Sequence, residues 1–402
     1  MKRSSFLRLA FLGACSLGTG LSSVLSARAE SKPGEKLTLL TAPKAKDRSL
    51  QLEIEHAIGK GLAFLQSKQS PGGFWSSPDY PALTALVLTA FAREPAAVMN
   101  ERQSQSVQKG YAYLLGCVKP DGGIYVKELA NYNTSVAMLA LVAAGPARYA
   151  SVLQNARNFI IGQQGHYPKV NGQNSPYEGG VGYGDDGPHS DMSNTAFALE
   201  ALHQTQFLRD SSNSGAAKDL NWAAAVEFLQ RCQNLPKYNK QPWASGDPQN
   251  VGGFVYDPME SKAGETTLPN GKKGLRSYGS MSYAGLMSYI FADLKKDDPR
   301  VTAVYDWTLH NYTMEENPAM GAQGLYYYYH MMAKALSIYG AEKLPLAGGK
   351  QADWRRDMAL KLINLQQNEG YWVNSNGRWW EKDPVLVTAY AVLALEIIHP
   401  GV

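Results

Sequence analysis

Apolar positions along this chain come in two alternating kinds of helical stretch. The first kind covers residues 60–66, 109–115, 156–163, 226–230 and 362–367, each ending in or just before a turn that is often glutamine-rich. Apolar residues there recur at helical spacing with polar residues between them, which predicts helices with one solvent face. The second kind covers residues 82–92, 135–144, 193–202, 280–292 and 384–397. These are apolar nearly all round and rich in small residues, which predicts full burial. Residues 300–312 and 324–339 supply one further pair, so the pattern predicts twelve helices with almost no strand signal.

The connections repeat as well. Gly72-Gly73, Gly122-Gly123, Gly179-Gly180 and Gly252-Gly253 are each followed by an aromatic residue, at intervals of 50, 57 and 73 residues. A last copy is Glu369-Gly370-Tyr371-Trp372, and the 117 residues between Gly253 and Gly370 leave room for one repeat without the pattern. Six consecutive half-buried and buried pairs predict an all-α fold, an (α/α)6 toroid in which six inner helices are ringed by six outer ones. Closure buries both terminal faces, which an open solenoid would have to cap. The six inner-helix N-termini then gather at one end, where their partial positive charge favours anions and acceptor groups.

Charge and targeting signals change this picture only at the start of the chain. Lys2, Arg3 and Arg8 precede a mostly apolar run over residues 9–25, and Ala27-Arg28-Ala29 has the form of a cleavage site. Residues 1–29 therefore read as an export signal cleaved after Ala29, residues 30–48 as a flexible leader, and residues 49–402 as the toroid. The whole chain has 39 basic and 35 acidic residues. The signal removes four basic residues and no acidic one, leaving 35 of each. A neutral mature chain gives no reason to expect nucleic acid or an anionic membrane surface as partner. No apolar run after the signal is expected to span a bilayer. Cys117 and Cys232 form no CxxC or Cys/His cluster, so neither a metal nor a cofactor is expected.

The Lys60…Phe64-Leu65…Gly72-Gly73-x-Trp75 pattern, followed by an apolar helix carrying Thr-Ala, resembles the repeat of the prenyltransferase and squalene-cyclase superfamily. The resemblance runs over residues 57–395 and implies the α/α toroid, with an isoprenoid or other small apolar ligand in its cavity. Cyclases of this superfamily that begin by protonation open one inner helix with Asp-x-Asp-Asp-Thr-Ala, the middle Asp being the acid. The matching run here is Asp191-Met192-Ser193-Asn194-Thr195-Ala196. Ser193 stands in the place of the acid and Asn194 in the place of the last Asp. The Asp, Cys and His that hold zinc in protein prenyltransferases have no counterpart, and the Cys-Gly-Glu-Gln run of thioester relatives is missing.

Candidate chemistry therefore rests on a few stretches. Asp185, Asp186, His189 and Asp191 crowd the turn before the third inner helix. Neighbouring like charges there can raise one carboxyl's pKa and make it an acid; equally, Asp191 or Ser193 can cap the helix over a solvated turn. Tyr326, Tyr327 and Tyr329 belong to a run of four tyrosines ahead of His330 and Lys334. Their ring faces can stabilise a cation or stack on sugars, or they can be packed core. Lys334, one turn beyond His330, is placed to pair with an acid. Trp379, Trp380 and Asp383 lead into the last inner helix, as rim, cover or cap. Tyr278 and Tyr283 occupy the repeat position that Asp191, Ser193 and Asn194 occupy in their own repeat. The resulting candidates are Asp191, Asp185, Asp186 and His330 for catalysis, with the remaining residues as ligand contacts. Two readings stay open: a toroid that binds and transforms an isoprenoid-like ligand, and a non-catalytic binding or scaffold protein of the cell envelope. Carbohydrate handling is a third, for which the sequence shows no acid pair at a defined spacing.

Overall fold

The computed structural model describes residues 47–95, 101–169, 172, 174–184, 189–209, 219–268 and 270–402. The expected signal, most of the expected leader, and Asp185 and Asp186 lie outside them. Twelve α-helices occur among the described residues. The outer set is α1 (Arg48–Ser67), α3 (Glu101–Gly116), α5 (Ala150–Gly162), α7 (Trp222–Cys232), α9 (Pro299–His310) and α11 (Trp354–Leu365). The inner set is α2 (Pro81–Arg93), α4 (Ala130–Ala143), α6 (Met192–Gln204), α8 (Gly279–Phe291), α10 (Leu325–Tyr339) and α12 (Pro384–Ile398). Each inner helix packs on the next, and α12 returns to α2, which closes the ring. The outer helices pack against this ring from outside, and α11 also meets α1.

A repeated stitch explains why the Gly-aromatic loops recur. Gly73, Gly122, Gly179, Gly252 and Gly370 all hold φ between 83° and 93°. A Cβ at any of them would fall 2.1–2.6 Å from a backbone carbonyl of the following outer helix, so only glycine fits. Two residues after each glycine sits a buried apolar residue: Trp75, Ile124, Val181, Phe254 or Trp372. Its N–H donates to a hydroxyl of the next inner helix, on Thr84, Thr134, Thr195, Ser282 or Thr388, at 2.9–3.1 Å. In four repeats a glutamine (Gln69, Gln164, Gln233 or Gln366) donates both to the loop glycine carbonyl and to a carbonyl in, or capping, the following outer helix. The Thr-Ala and Gln signals in the sequence are thus one hydrogen-bonded joint, repeated around the ring.

Three details differ from expectation. Helix α4 begins at Ala130, five residues before the expected start, because Tyr132 and Asn133 already lie in its first turn. The run Pro384–Gly401, with mean hydropathy 1.5, is long and apolar enough to cross a membrane by length and composition, although no such run was expected. It is 72% buried, and α12, which makes up most of it, packs against α2, α10, α1 and α11 as a core helix. Two short hairpins also form: Glu265–Thr267 (β1) with Lys273–Leu275 (β2), and Leu344–Pro345 (β3) with Gln351–Ala352 (β4), both antiparallel.

Candidate functional site

The N-terminal ends of all six inner helices open onto one cavity of about 610 Å3. Ala82 and Leu83 come from α2, Tyr132 and Asn133 from α4, Ser193 from α6, and Ser280 and Met281 from α8. Tyr327 comes from α10, and Leu386 and Tyr390 from α12. Loops add Tyr80, Glu128, Leu129, Tyr183, His189, Tyr256, Lys262, Tyr278, Trp379, Trp380 and Glu381. The wall is therefore dominated by tyrosine and tryptophan, with polar groups spaced singly between the rings. That mixture suits an apolar ligand fixed by a few polar contacts.

The polar groups at the mouth are mostly committed to capping. Asn133 Oδ1 accepts from the Ala82 N–H at 3.0 Å, and Asn317 Oδ1 from the Ser280 N–H at 2.9 Å. Asp191 Oδ1 accepts from the Asn194 N–H at 2.9 Å, and Asp383 Oδ1 from the Val385 N–H at 2.9 Å. Helix α10 has Gly324 at its N-cap position, with no side chain to cap it. Glu381 does so instead, its two oxygens accepting from the Tyr326 and Tyr327 N–H groups at 3.2 and 2.8 Å, while Asn374 donates to it at 2.5 Å. Five of the six inner-helix starts thus have a side-chain acceptor, two from their own N-cap and three from elsewhere in the fold, and the positive ends expected to attract an anion are already answered.

Behind the wall, Asp191 is fully buried and also accepts from Asn194 Nδ2 at 2.7 Å. Burial pushes its carboxyl up to about 6, against the opposing pull of those two bonds and of His189. His189 Nε2 lies 3.7 Å from Asp191 Oδ2, and its ring, half-exposed, faces the cavity. That ring stacks at 6.0 Å on Tyr183, whose hydroxyl meets that of Tyr256 at 2.7 Å. At the rim, Trp379 and Trp380 hold left-handed φ values of 54° and 68°. Trp380 meets Tyr80 edge-on at 4.9 Å, and Trp379 packs over Gly324 under the Arg378 guanidinium.

No protein-family profile matches this chain, and no curated protein does. Solved structures do. The type II terpene cyclase MstE from Scytonema superposes with a TM-score of 0.52 at 13% identity, over 88% of this chain and 99% of that one. The same cyclase in complex with geranylgeranyl dihydroxybenzoate gives 0.51 at 11% identity, with the same coverage. An inactive variant of the α-1,6-mannanase GH76A of Salegentibacter sp. HEL1_6, in complex with α-1,6-mannotriose, gives 0.56 at 8% identity, over 87% of this chain and all of that one. The chain has the α/α toroid fold of these structures. At such identities the likeness describes the fold, and the two kinds of neighbour already differ in what they bind.

Within the toroid, six of the residues singled out from sequence line the cavity: His189, Ser193, Tyr278, Tyr327, Trp379 and Trp380. Ser193 Oγ lies 3.4 Å from the Tyr327 hydroxyl. Asp191 and Asn194 stand directly behind the wall. Asp383 is a helix cap and is not part of the lining. Tyr283, Tyr326 and Tyr329 are buried away from the cavity, Tyr329 donating to the Met314 carbonyl at 2.6 Å. His330 is also off the lining, because α10 turns it against Tyr390, ring to ring at 5.5 Å. Burial holds its imidazole well below its ordinary pKa, so it stands neutral. Lys334 pairs with Glu200 of α6, both buried. Tyr80, Tyr256, Glu381 and Tyr390 were not singled out. Tyr390 carried a positional signal, since like Tyr132 and Tyr327 it falls in the first two turns of an inner helix; Tyr80, Tyr256 and Glu381 lie outside the helices and carried none. Cys117 and Cys232 are free and buried, and no group of three potential metal ligands occurs among the described residues.

Proposed function

We propose that this toroid binds an isoprenoid chain, or a ligand of similar apolar character, in its aromatic cavity. The single observation behind this reading is the cavity wall, to which every inner helix contributes and in which tyrosine and tryptophan rings from three of those helices and the loops stand among isolated hydroxyls. Aromatic faces bury apolar area and favour electron-poor or cationic carbon, and the scattered hydroxyls orient one polar end. The chemistry of the wall favours binding over cyclisation. Ser193 occupies the position of the acid, and its hydroxyl does not protonate an alkene. Asp191 at about 6 is a weaker proton donor than an ordinary carboxyl, and it sits behind the wall. Sugar hydrolysis is less well served among the described residues. Of the two lining carboxylates, Glu381 is bound on both oxygens as a helix cap, which leaves only Glu128 at the rim and no free acid–base pair.

Export completes the reading: the mature chain begins at Glu30 and meets its ligand outside the cytoplasm. Titration calorimetry with farnesol and, separately, with α-1,6-mannotriose tests the ligand class. Farnesol binding with a negative heat-capacity change supports the proposal. Mannotriose binding with no response to farnesol overturns it, and silence toward both favours a scaffold role.

A further inference from the structure

Below the cavity the barrel axis is closed by four aromatic rings from four inner helices. Tyr132 of α4 meets Phe197 of α6 edge-on at 5.2 Å. Phe197 meets Tyr327 of α10 at 6.3 Å, and Tyr327 meets Tyr390 of α12 at 5.8 Å. The circuit closes where the Tyr390 and Tyr132 hydroxyls meet at 3.4 Å. Three members show a face to the cavity, and Phe197 completes the ring from beneath.

What lies under this ring is unlike what lies over it. The Lys334 ammonium sits 5.1 Å from the Phe197 ring centroid and pairs with the Glu200 carboxylate. Both are buried in the middle of the barrel. His330 lies against the underside of Tyr390, with an Nδ1 that has no partner. A hydrocarbon chain descending the axis would leave aromatic faces and meet an ion pair that it cannot solvate. Moving the ring aside also strips the ammonium of its aromatic neighbour. The floor therefore resists a longer ligand on both counts: close packing above, and polar groups with no apolar replacement below.

We infer that the Tyr132–Phe197–Tyr327–Tyr390 ring, backed by the Lys334–Glu200 pair, sets the length of chain the cavity accepts. This rests on the proposed binding of an apolar chain and adds which chains are taken. The tyrosines are the tunable members, since each reaches the axis with a ring whose removal deepens the cavity without touching the ion pair.

The test measures the affinities of geraniol, farnesol and geranylgeraniol for the wild-type toroid and for Tyr390→Ala. Tyr132→Leu serves as a second, milder variant, and circular dichroism checks folding of each. Wild type is expected to show a break in affinity along the series. Either variant is expected to move that break at least one isoprene unit toward longer chains, with about a tenfold gain for the longer alcohol relative to the shorter. A general loss of stability lowers all three affinities together and does not move the ratio. A break that stays in place in a folded variant, or a wild type with no break, overturns the gauge while leaving the binding reading intact. A wild type that binds none of the three overturns both.

Discussion

Gly370, in the last loop, stands against the backbone carbonyl of Lys60 in the first helix, so close that a Cβ would lie 2.5 Å from the oxygen. The same contact joins every other stitched loop to the outer helix that follows it, and here it joins the end of the chain to its beginning. Gln366 reinforces it by donating to the Ala57 carbonyl at 2.9 Å, and Asp47 pairs with Arg356 at 2.6 Å.

Gly370→Ala is therefore expected to destabilise the fold by about 2–3 kcal/mol, because the new Cβ meets both a left-handed φ of 93° and the Lys60 carbonyl. Gly59→Ala, in the same outer helix but with open space around it, is expected to be neutral or stabilising by up to about 1 kcal/mol. Urea unfolding of the two variants beside wild type measures the contrast. Equal effects would mean that closure does not run through this contact.

Much of this was legible in the sequence, and the reason is repetition. The Gly-aromatic loops, the glutamines and the Thr-Ala starts recur because each belongs to one joint, so a pattern visible five times carried the fold. Parts of the site that depend on partners far apart in sequence were not legible. Lys334 was marked as a residue seeking an acid, yet nothing named Glu200, which lies 134 positions away on another helix. His330 stood out because it follows the run of four tyrosines; only the rotation of α10 turns it under Tyr390, outside the lining. Glu381 hid among charged neighbours because the helix it caps is not its own.

The buried Lys334–Glu200 pair makes an asymmetric prediction. Lys334→Met leaves a carboxylate buried without its partner and is expected to cost about 3–5 kcal/mol. The double variant Lys334→Met, Glu200→Leu removes both charges and is expected to lie within about 2 kcal/mol of wild type in either direction. A double-mutant cycle from denaturant unfolding measures the coupling. Additive single and double effects would contradict the pair's role.

Asp191 predicts a pH dependence of stability. Its folded pKa of about 6 stands above the ordinary 3.8. The native state therefore binds the proton more tightly, and this group's contribution is full at low pH and lost as pH rises from 3.8 through about 6. Asp191→Asn keeps a capping oxygen and stays neutral throughout. Wild type is expected to lose about 3 kcal/mol relative to this variant between about pH 4 and about pH 7. Parallel stability curves for the two proteins would place the shifted carboxyl elsewhere.

The proposed occupant of the aromatic cavity is an apolar ligand. Native mass spectrometry of the toroid incubated with farnesol, beside the same experiment on Ser193→Trp, tests it most directly. Ser193 lies on the wall, 3.4 Å from the Tyr327 hydroxyl, so an indole there fills the space the ligand needs. One farnesol per wild-type chain and none on the folded variant is expected. An unliganded wild type, or equal loading of both proteins, would contradict it.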